Sequence, residues 1–311
     1  MKKQISIGVD VGGSHISCAA YDLTNKKLIT ESISHTTLNN QGSKEEIVTA
    51  FGRLLRLCIA KIEAENLVGI GIAMPGPFDY VNGIGLFTGS NAKFQSINEV
   101  NLRSEIQENL GLKNIPIRFI NDATAFAIGE YFLGKLQGGK QTLAITLGTG
   151  LGSAFLSGGI PVIMGDTVPE NGCIWHLPFE NGIADDYFST RGLINRFFER
   201  SGKRVNGVKE IADLAKENID AEELFYDFGE KMAHFLSSWI KKFKVETIVF
   251  GGNISKASYL FDNAMNEQFK EAGLRVRIEY SDLQESAAFI GGAQLLSEEF
   301  WESVKEQLKY M

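Results

Sequence analysis

An Asn-Asp pair and two glycine turns hold most of the chemical promise of this 311-residue chain. The pair is Asn121-Asp122, in Ile117-Arg118-Phe119-Ile120-Asn121-Asp122-Ala123-Thr124-Ala125, where a strand stops and a helix begins. An isolated Asn-Asp in that place usually does no more than cap the helix. A carboxylate at the carboxyl edge of a sheet, however, stands where α/β proteins bind ligands. There it is placed to take a proton from a substrate hydroxyl as a neighbouring phosphate is attacked. The first turn lies in Gly8-Val9-Asp10-Val11-Gly12-Gly13-Ser14, with alternating apolar residues on both sides, which reads as a β-hairpin. Leu143-Ala144-Ile145-Thr146-Leu147-Gly148-Thr149-Gly150-Leu151-Gly152 repeats the plan. Such turns permit positive φ and let backbone N–H groups approach a phosphate with no side chain intervening. Most single Gly-Gly hairpins are only hairpins. Two of one build, each with a hydroxyl residue (Ser14, Thr149), point to a paired phosphate clamp. Neither is followed by Lys-Ser/Thr or opens a helix, so a P-loop enzyme and a Rossmann dehydrogenase are poor readings.

These groups need a scaffold, and the periodicity supplies one of mixed α/β type. Ser43-x-x-Glu46 is a capping box, and Ile47, Phe51, Leu54, Leu55, Cys58 and Ile62 follow at helical spacing, predicting a helix over 43–64. Strands are predicted over 68–73, entering Pro75-Gly76-Pro77, and over 115–120, with a helix over 101–110 between them. A long amphipathic helix over 224–243 carries Phe228, Met232, Phe235, Trp239 and Phe243, read as a stripe of core. It feeds a strand at 247–250 that runs into Gly251-Gly252. A further pair, Gly291-Gly292, falls inside a helical stretch over 285–296, and a last helix over 297–311 should pack on a domain surface. Glycine makes up 33 of 311 residues, about 11% against a typical 7%. With six prolines and no low-complexity stretch, that excess is expected in turns.

The overall balance restricts the partners. There are 31 Lys+Arg against 38 Asp+Glu, a net charge of −7, which argues against a protein built to grip nucleic acid phosphates. No apolar run approaches the roughly 18 residues of a membrane span. Strand-like sequence begins after Gln4, leaving no room for a signal peptide. Three scattered cysteines, Cys18, Cys58 and Cys173, make no disulfide framework, and a cytoplasmic location is expected. The length exceeds what one core usually supports, so two domains are expected.

Taken in order, Asp10-Val-Gly-Gly-Ser, Pro75-Gly-Pro-Phe-Asp79, Asn121-Asp122, Gly148-Thr-Gly-Leu-Gly152 and Val249-Phe-Gly-Gly252 resemble the ROK family of sugar kinases. The resemblance runs from Ile5 to Leu296. It implies two actin-like (ribonuclease H-like) α/β ATPase domains flanking a cleft, 1–120 plus 297–311 and 121–296. It implies Asp122 as catalytic base and Asn91 and Asn121 as sugar contacts. Asp10 would lie near ATP·Mg²⁺, with Gly12, Gly13, Ser14, Gly148, Thr149 and Gly150 at the phosphates and Gly251 and Gly252 beneath the adenosine. The expected reaction is phosphorylation of the 6-hydroxyl of a hexose or N-acetylhexosamine by ATP. A homodimer is expected, as relatives are commonly dimers or tetramers.

Several positions depart from the family pattern. His15 replaces the lysine or asparagine common after the first turn, and is read as a surface residue. In Gly172-Cys173-Ile174-Trp175-His176-Leu177-Pro178 the sugar-binding histidine is kept as His176, while Cys173 replaces a glutamate and Trp175 a glycine. The segment 179–186 lacks the cysteines of the family's zinc loop, so no structural zinc is expected. Asp185 takes the place of a second sugar-contacting glutamate, one methylene shorter. A non-catalytic sugar-binding regulator is the alternative. The family's DNA-binding repressors carry a helix-turn-helix ahead of the kinase-like region. Here four residues precede the first strand, which argues against that reading.

Overall fold

The computed structural model describes residues 3–88 and 93–311. The chain forms two compact units, Met1–Gly134 with Glu285–Met311, and Lys135–Gln284. Unit 1 contains strands β1 (Ile5–Val11), β2 (His15–Asp22), β3 (Lys27–Thr37) and β4 (Leu67–Met74), a small hairpin of β5 (Phe78–Asp79) and β6 (Ile84–Gly85), and β7 (Ile117–Asn121). Its helices are α1 (Lys44–Ile59), α2 (Leu102–Leu110) and α3 (Asp122–Leu133). The sheet has the order β3-β2-β1-β4-β7, antiparallel through β3-β2-β1 and parallel through β1-β4-β7. Ser43 caps α1 as its spacing predicts: its Oγ accepts the Glu46 N–H at 3.2 Å, and Glu46 Oε2 accepts the Ser43 N–H at 3.0 Å.

Unit 2 contains β8 (Gln141–Leu147), β9 (Leu151–Ser157), β10 (Ile160–Pro161), a hairpin of β11 (Pro178–Phe179) and β12 (Gly182–Ile183), β13 (Thr247–Gly251) and β14 (Arg277–Tyr280). Its helices are α4 (Ala184–Phe188), α5 (Thr190–Ser201), α6 (Val208–Leu214), α7 (Ile219–Phe243) and α8 (Asp262–Glu271). The sheet order β10-β9-β8-β13-β14 repeats that of unit 1, with the same strand directions. Phe228, Met232, Phe235 and Phe243 of α7 are buried in one cluster with Leu143, Ile145 and Phe250 of the sheet, so the predicted stripe is core. Burying each such side chain contributes roughly 1.5–3 kcal/mol.

The chain then returns to unit 1 with α9 (Glu285–Gln294) and α10 (Glu298–Val304). The division thus falls at 134/135 and 284/285, where the sequence suggested 120/121 and 296/297. Backbone contact is the reason. A Cβ on Gly129 of α3 would stand 1.8 Å from the Ala287 carbonyl oxygen of α9, and one on Gly291 equally close to that of Ala125. Helix α9 also lies directly on the sheet: a Cβ on Gly8 would come within 1.7 Å of Phe289 O, and one on Gly71 within 1.8 Å of Gly292 O. Contacts below 3 Å are forbidden to a real side chain, so these glycines serve close packing inside strands and helices. The expectation that the glycine excess sits in turns is corrected to that extent. Phe300 of α10 meets the Phe132 ring edge-on, and the Arg118 guanidinium lies 4.2 Å from the Trp301 ring. The last helix ends at Val304 and a 3₁₀ turn, Gln307–Tyr310, follows. Among the described residues no helix is long and apolar enough to cross a membrane.

Candidate active site

In unit 1 three parallel strands end side by side. Register places Asp10 of β1 beside Ala73 of β4, and Met74 of β4 beside Asn121 of β7. Asn121 has extended backbone and caps α3, its Oδ1 accepting the Thr124 N–H at 3.1 Å. The cap of α3 is thus Asn121 and not Asp122. Asp122, at the first helical position, accepts Asn121 Nδ2 at 3.0 Å and the Ala123 N–H at 2.8 Å, both on Oδ1. Burial pushes the Asp122 carboxyl above the usual range, opposed by these bonds. Half-buried Asp10 is pushed up to about 8, first by burial and then by the charges of Asp122 and Glu285. The charges of Asp122 and Glu285 thus bear on Asp10 at the end of β1, a setting that favours an incoming cation.

Glu285 escaped the sequence reading. It sits in the first turn of α9, where acidic residues ordinarily complement the helix dipole, so its type carries no distinctive signal. The one hint was Gly291-Gly292, which lets α9 approach β1 and β4. His15, read as a surface residue, is exposed but has Nε2 3.5 Å from Glu285 Oε1.

The first turn is closed by Gly12 N–H donating to His15 O at 3.0 Å, Leu38 N–H donating to Ser14 O at 2.9 Å, and Asn40 Nδ2 donating to Gly13 O. The second is closed by Gly148 N–H to Gly150 O at 3.1 Å, with Thr149 and Gly150 exposed. None of Gly12, Gly13, Gly148 and Gly150 has positive φ. Gly148 and Gly13 supply room, since a Cβ on Gly148 would meet nothing within 4 Å and one on Gly13 only Asn40 Nδ2 at 3.8 Å. On Gly12, by contrast, a Cβ would stand 3.0 Å from His15 O, and on Gly150 3.2 Å from Asp185 Oδ1. Gly251 lies beside Thr146 at the same edge of the unit 2 sheet. Gly252 does need its type, with φ +84° and a Cβ position 2.3 Å from Leu147 O.

His176 is half-buried, its ring edge-on to that of exposed Trp175 at 5.3 Å. Backbone bonds from Asp185 N to Trp175 O (2.9 Å) and Ala184 N to Leu177 O (3.0 Å) hold this segment. Cys173 is half-buried and its Sγ donates to Asn171 O at 3.5 Å. The loop over 179–186 is anchored by Phe179 against Tyr187, Phe188 and Phe235, and by a Lys231–Glu180 ion pair. No group of three or more His, Cys, Asp or Glu among the described residues is arranged to hold a metal. Asp185, expected at the sugar, has Oδ1 on the Leu151 N–H at 2.8 Å and Oδ2 on Arg191 at 3.3 Å. Asn91 lies outside the described residues. The structure thus gathers Asp10, Gly12, Gly13, Ser14, Asn121 and Asp122 in unit 1. Gly148, Thr149, Gly150, His176, Asp185, Gly251 and Gly252 lie in unit 2.

Comparison with known proteins bears on this arrangement. The family model described as ROK family matches residues 6–299. The chain is 26% identical to a glucokinase of Thermotoga maritima, over 96% of this chain and 99% of that protein. It is 24% identical to an N-acetyl-D-glucosamine kinase of Photobacterium profundum, over 82% and 86%. It is also 24% identical to a xylose repressor of Bacillus spizizenii, over 98% and 80%. A ROK family glucokinase from Streptomyces griseus, solved with glucose and AMPPNP, superposes with a TM-score of 0.75 at 21% identity, over 94% and 98%. The fold of this chain is therefore the α/β fold of that glucokinase.

Proposed function

Since the chain belongs to the ROK family, we propose that it is an ATP-dependent sugar kinase. The acceptor is the 6-hydroxyl of a hexose or N-acetylhexosamine. The observation that carries this reading is the Asp122 carboxylate at the carboxyl end of β7, steered by Asn121 and the Ala123 N–H and raised by burial. A carboxylate with a raised pKa is a stronger base than an exposed one, which suits it to accept the proton of an attacking alcohol. Because both hydrogen bonds fall on Oδ1, the proton goes to Oδ2. As the primary hydroxyl oxygen bonds to the γ-phosphorus, the bond from that phosphorus to the β,γ-bridging oxygen breaks and ADP leaves. The Gly12–Ser14 and Gly148–Gly150 turns offer backbone N–H groups to phosphate oxygens. Asn121 and His176 contact the sugar, and Trp175 offers an apolar face to a ring or an N-acetyl methyl.

Mg²⁺ prefers one or two carboxylates plus substrate phosphates to an all-protein cage, and Asp10, crowded by Asp122 and Glu285, fits that donor set. When bound, the ion neutralises charge on the phosphoryl oxygens. The deciding experiment is ADP production from ATP·Mg²⁺ over glucose, mannose, fructose, allose, N-acetylglucosamine and N-acetylmannosamine. Sugar-dependent ADP release is expected with at least one. Its absence with all of them favours a non-catalytic sugar-binding regulator.

A further inference from the structure

The second phosphate turn is gripped from one side by a single short segment. Asp185 Oδ1 accepts the N–H of Leu151, the first residue after Gly148-Thr149-Gly150, at 2.8 Å. The other side of that same Gly150–Leu151 peptide is also fixed, since Gly150 O accepts the Gly148 N–H at 3.1 Å. At the entry to the turn, Gly148 O accepts both the N–H and the Oγ1–H of Thr190, each at 2.9 Å. Arg191 then holds Asp185 Oδ2 at 3.3 Å and Asp186 Oδ1 at 3.0 Å through one Nη2. A carboxylate and a helix start, five residues apart, thus clamp both ends of the turn.

The clamp leaves the middle of the turn unclaimed. No hydrogen bond among the described residues uses the N–H groups of Thr149 and Gly150, and both residues are exposed. Their direction depends on the peptide planes on either side, which Asp185 and Thr190 set. We infer that Asp185 is a positioning residue for this turn and acts on nucleotide affinity through Leu151, in place of the sugar contact that its sequence position suggested. This rests on the reading of the turn as a nucleotide phosphate element. The main chain of Asp185 also holds Trp175 O, so the segment bearing His176 hangs from the same residue.

The test measures binding of ADP with Mg²⁺ to the full chain by titration calorimetry, alongside the sugar KM. Losing one such bond is worth on the order of a 3- to 10-fold change. Asp185→Ala should weaken ADP by about that factor and leave the sugar KM nearly unchanged. Asp185→Asn keeps an acceptor for the Leu151 N–H and should restore most of the affinity. Thr190→Val, which loses the Oγ1 bond to Gly148, should weaken ADP as well. If Asp185→Ala does not fold, the Asn and Val variants decide: unchanged ADP affinity in Thr190→Val overturns the inference. A rise in sugar KM with ADP affinity intact in Asp185→Ala overturns it too. Failure of the wild type to bind ADP at all has a different meaning, because it removes the nucleotide reading on which the inference stands.

Discussion

The two sheets share strand order, strand direction and a glycine hairpin, yet carry different chemistry. Counting back from each turn lays Asp10 on Thr146 and Gly8 on Ala144. The neighbouring parallel strands extend the match, with Gly71 beside Gly8 in unit 1 and Val249 beside Ala144 in unit 2. In unit 1 the missing Cβ atoms let α9 lie on strand backbone, which brings Glu285 towards Asp10. In unit 2 the same positions carry side chains, and a hydroxyl stands in place of the carboxylate. The last strands diverge as well. β7 runs straight into α3, capped by Asn121, with Asp122 half-buried. β14 is followed by Ser281–Gln284, where the acidic residue, Asp282, is 79% exposed and paired with Lys135 at 2.5 Å. One topology therefore supports a crowded carboxylate edge in one unit and a surface ion pair in the other. The proposed base belongs to unit 1 alone.

The largest effect expected from this difference is on turnover. Asp122→Asn keeps an acceptor for Asn121 Nδ2 and the Ala123 N–H, so the fold should stand while kcat falls by roughly 10²–10⁴. Asp282→Asn, a change at the acidic residue that follows β14 in unit 2, removes a surface pair worth about 0–1 kcal/mol and should leave kcat alone. Equal losses from both, in a steady-state ADP assay, would break the comparison. Packing comes next. Gly8→Ala forces a methyl into the Phe289 carbonyl and should cost about 1–3 kcal/mol or more in urea unfolding. Unit 2 already carries alanine at that place, so a Gly8→Ala variant as stable as the wild type would show that α9 does not need the gap.

Much of this scaffold was legible beforehand because it rests on local chemistry or periodicity. Ser43 and Glu46 announce α1, the alternation around Gly12-Gly13 and Gly148–Gly150 announces both hairpins, and the Phe228-to-Phe243 stripe announces the core of unit 2. Asn121-Asp122 was visible as a strand-to-helix junction. The allegiance of α3 and α9 was not, since it depends on backbone meeting backbone at Gly129 and Gly291, and hydrophobic periodicity does not encode that. Glu285 and its approach to His15 were missed for a related reason, as that meeting follows from where α9 lies. Asp185 reaches Leu151 across 34 residues, a pairing that no local pattern contains.

Charge gives a smaller test. Asp10 has an unfolded pKa near 3.9 and a folded value of about 8. Between those values the native state holds the extra proton, so stability should fall as pH rises from roughly 4 to 8 and level off above. Asp10→Asn removes that fall, and its advantage over the wild type should grow by on the order of 1–3 kcal/mol between pH 5 and pH 9, without nucleotide. Thr146, at the matching place in unit 2, does not titrate in this range, so Thr146→Val should shift the pH curve without changing its slope. Parallel wild-type and Asp10→Asn curves of Tm against pH would mean that neither burial nor the charges of Asp122 and Glu285 raise Asp10.

The smallest expected effect separates two kinds of glycine within unit 2. Gly252→Ala meets both a φ of +84° and the Leu147 carbonyl, and should destabilise by about 1–3 kcal/mol. Gly148→Ala meets open space, so the unliganded protein should change by no more than about 0.5 kcal/mol. The added methyl would instead occupy room that the turn leaves beside its free N–H groups, and ADP affinity should drop several-fold. Gly13→Ala tests open room one position further along the unit 1 turn, where the nearest atom is the Asn40 amide nitrogen. If Gly148→Ala lowered Tm and spared ADP binding, the open space would be incidental. The hairpins would then be alike in topology and unlike in purpose, and unit 2 would have to hold the nucleotide by Gly251-Gly252 alone.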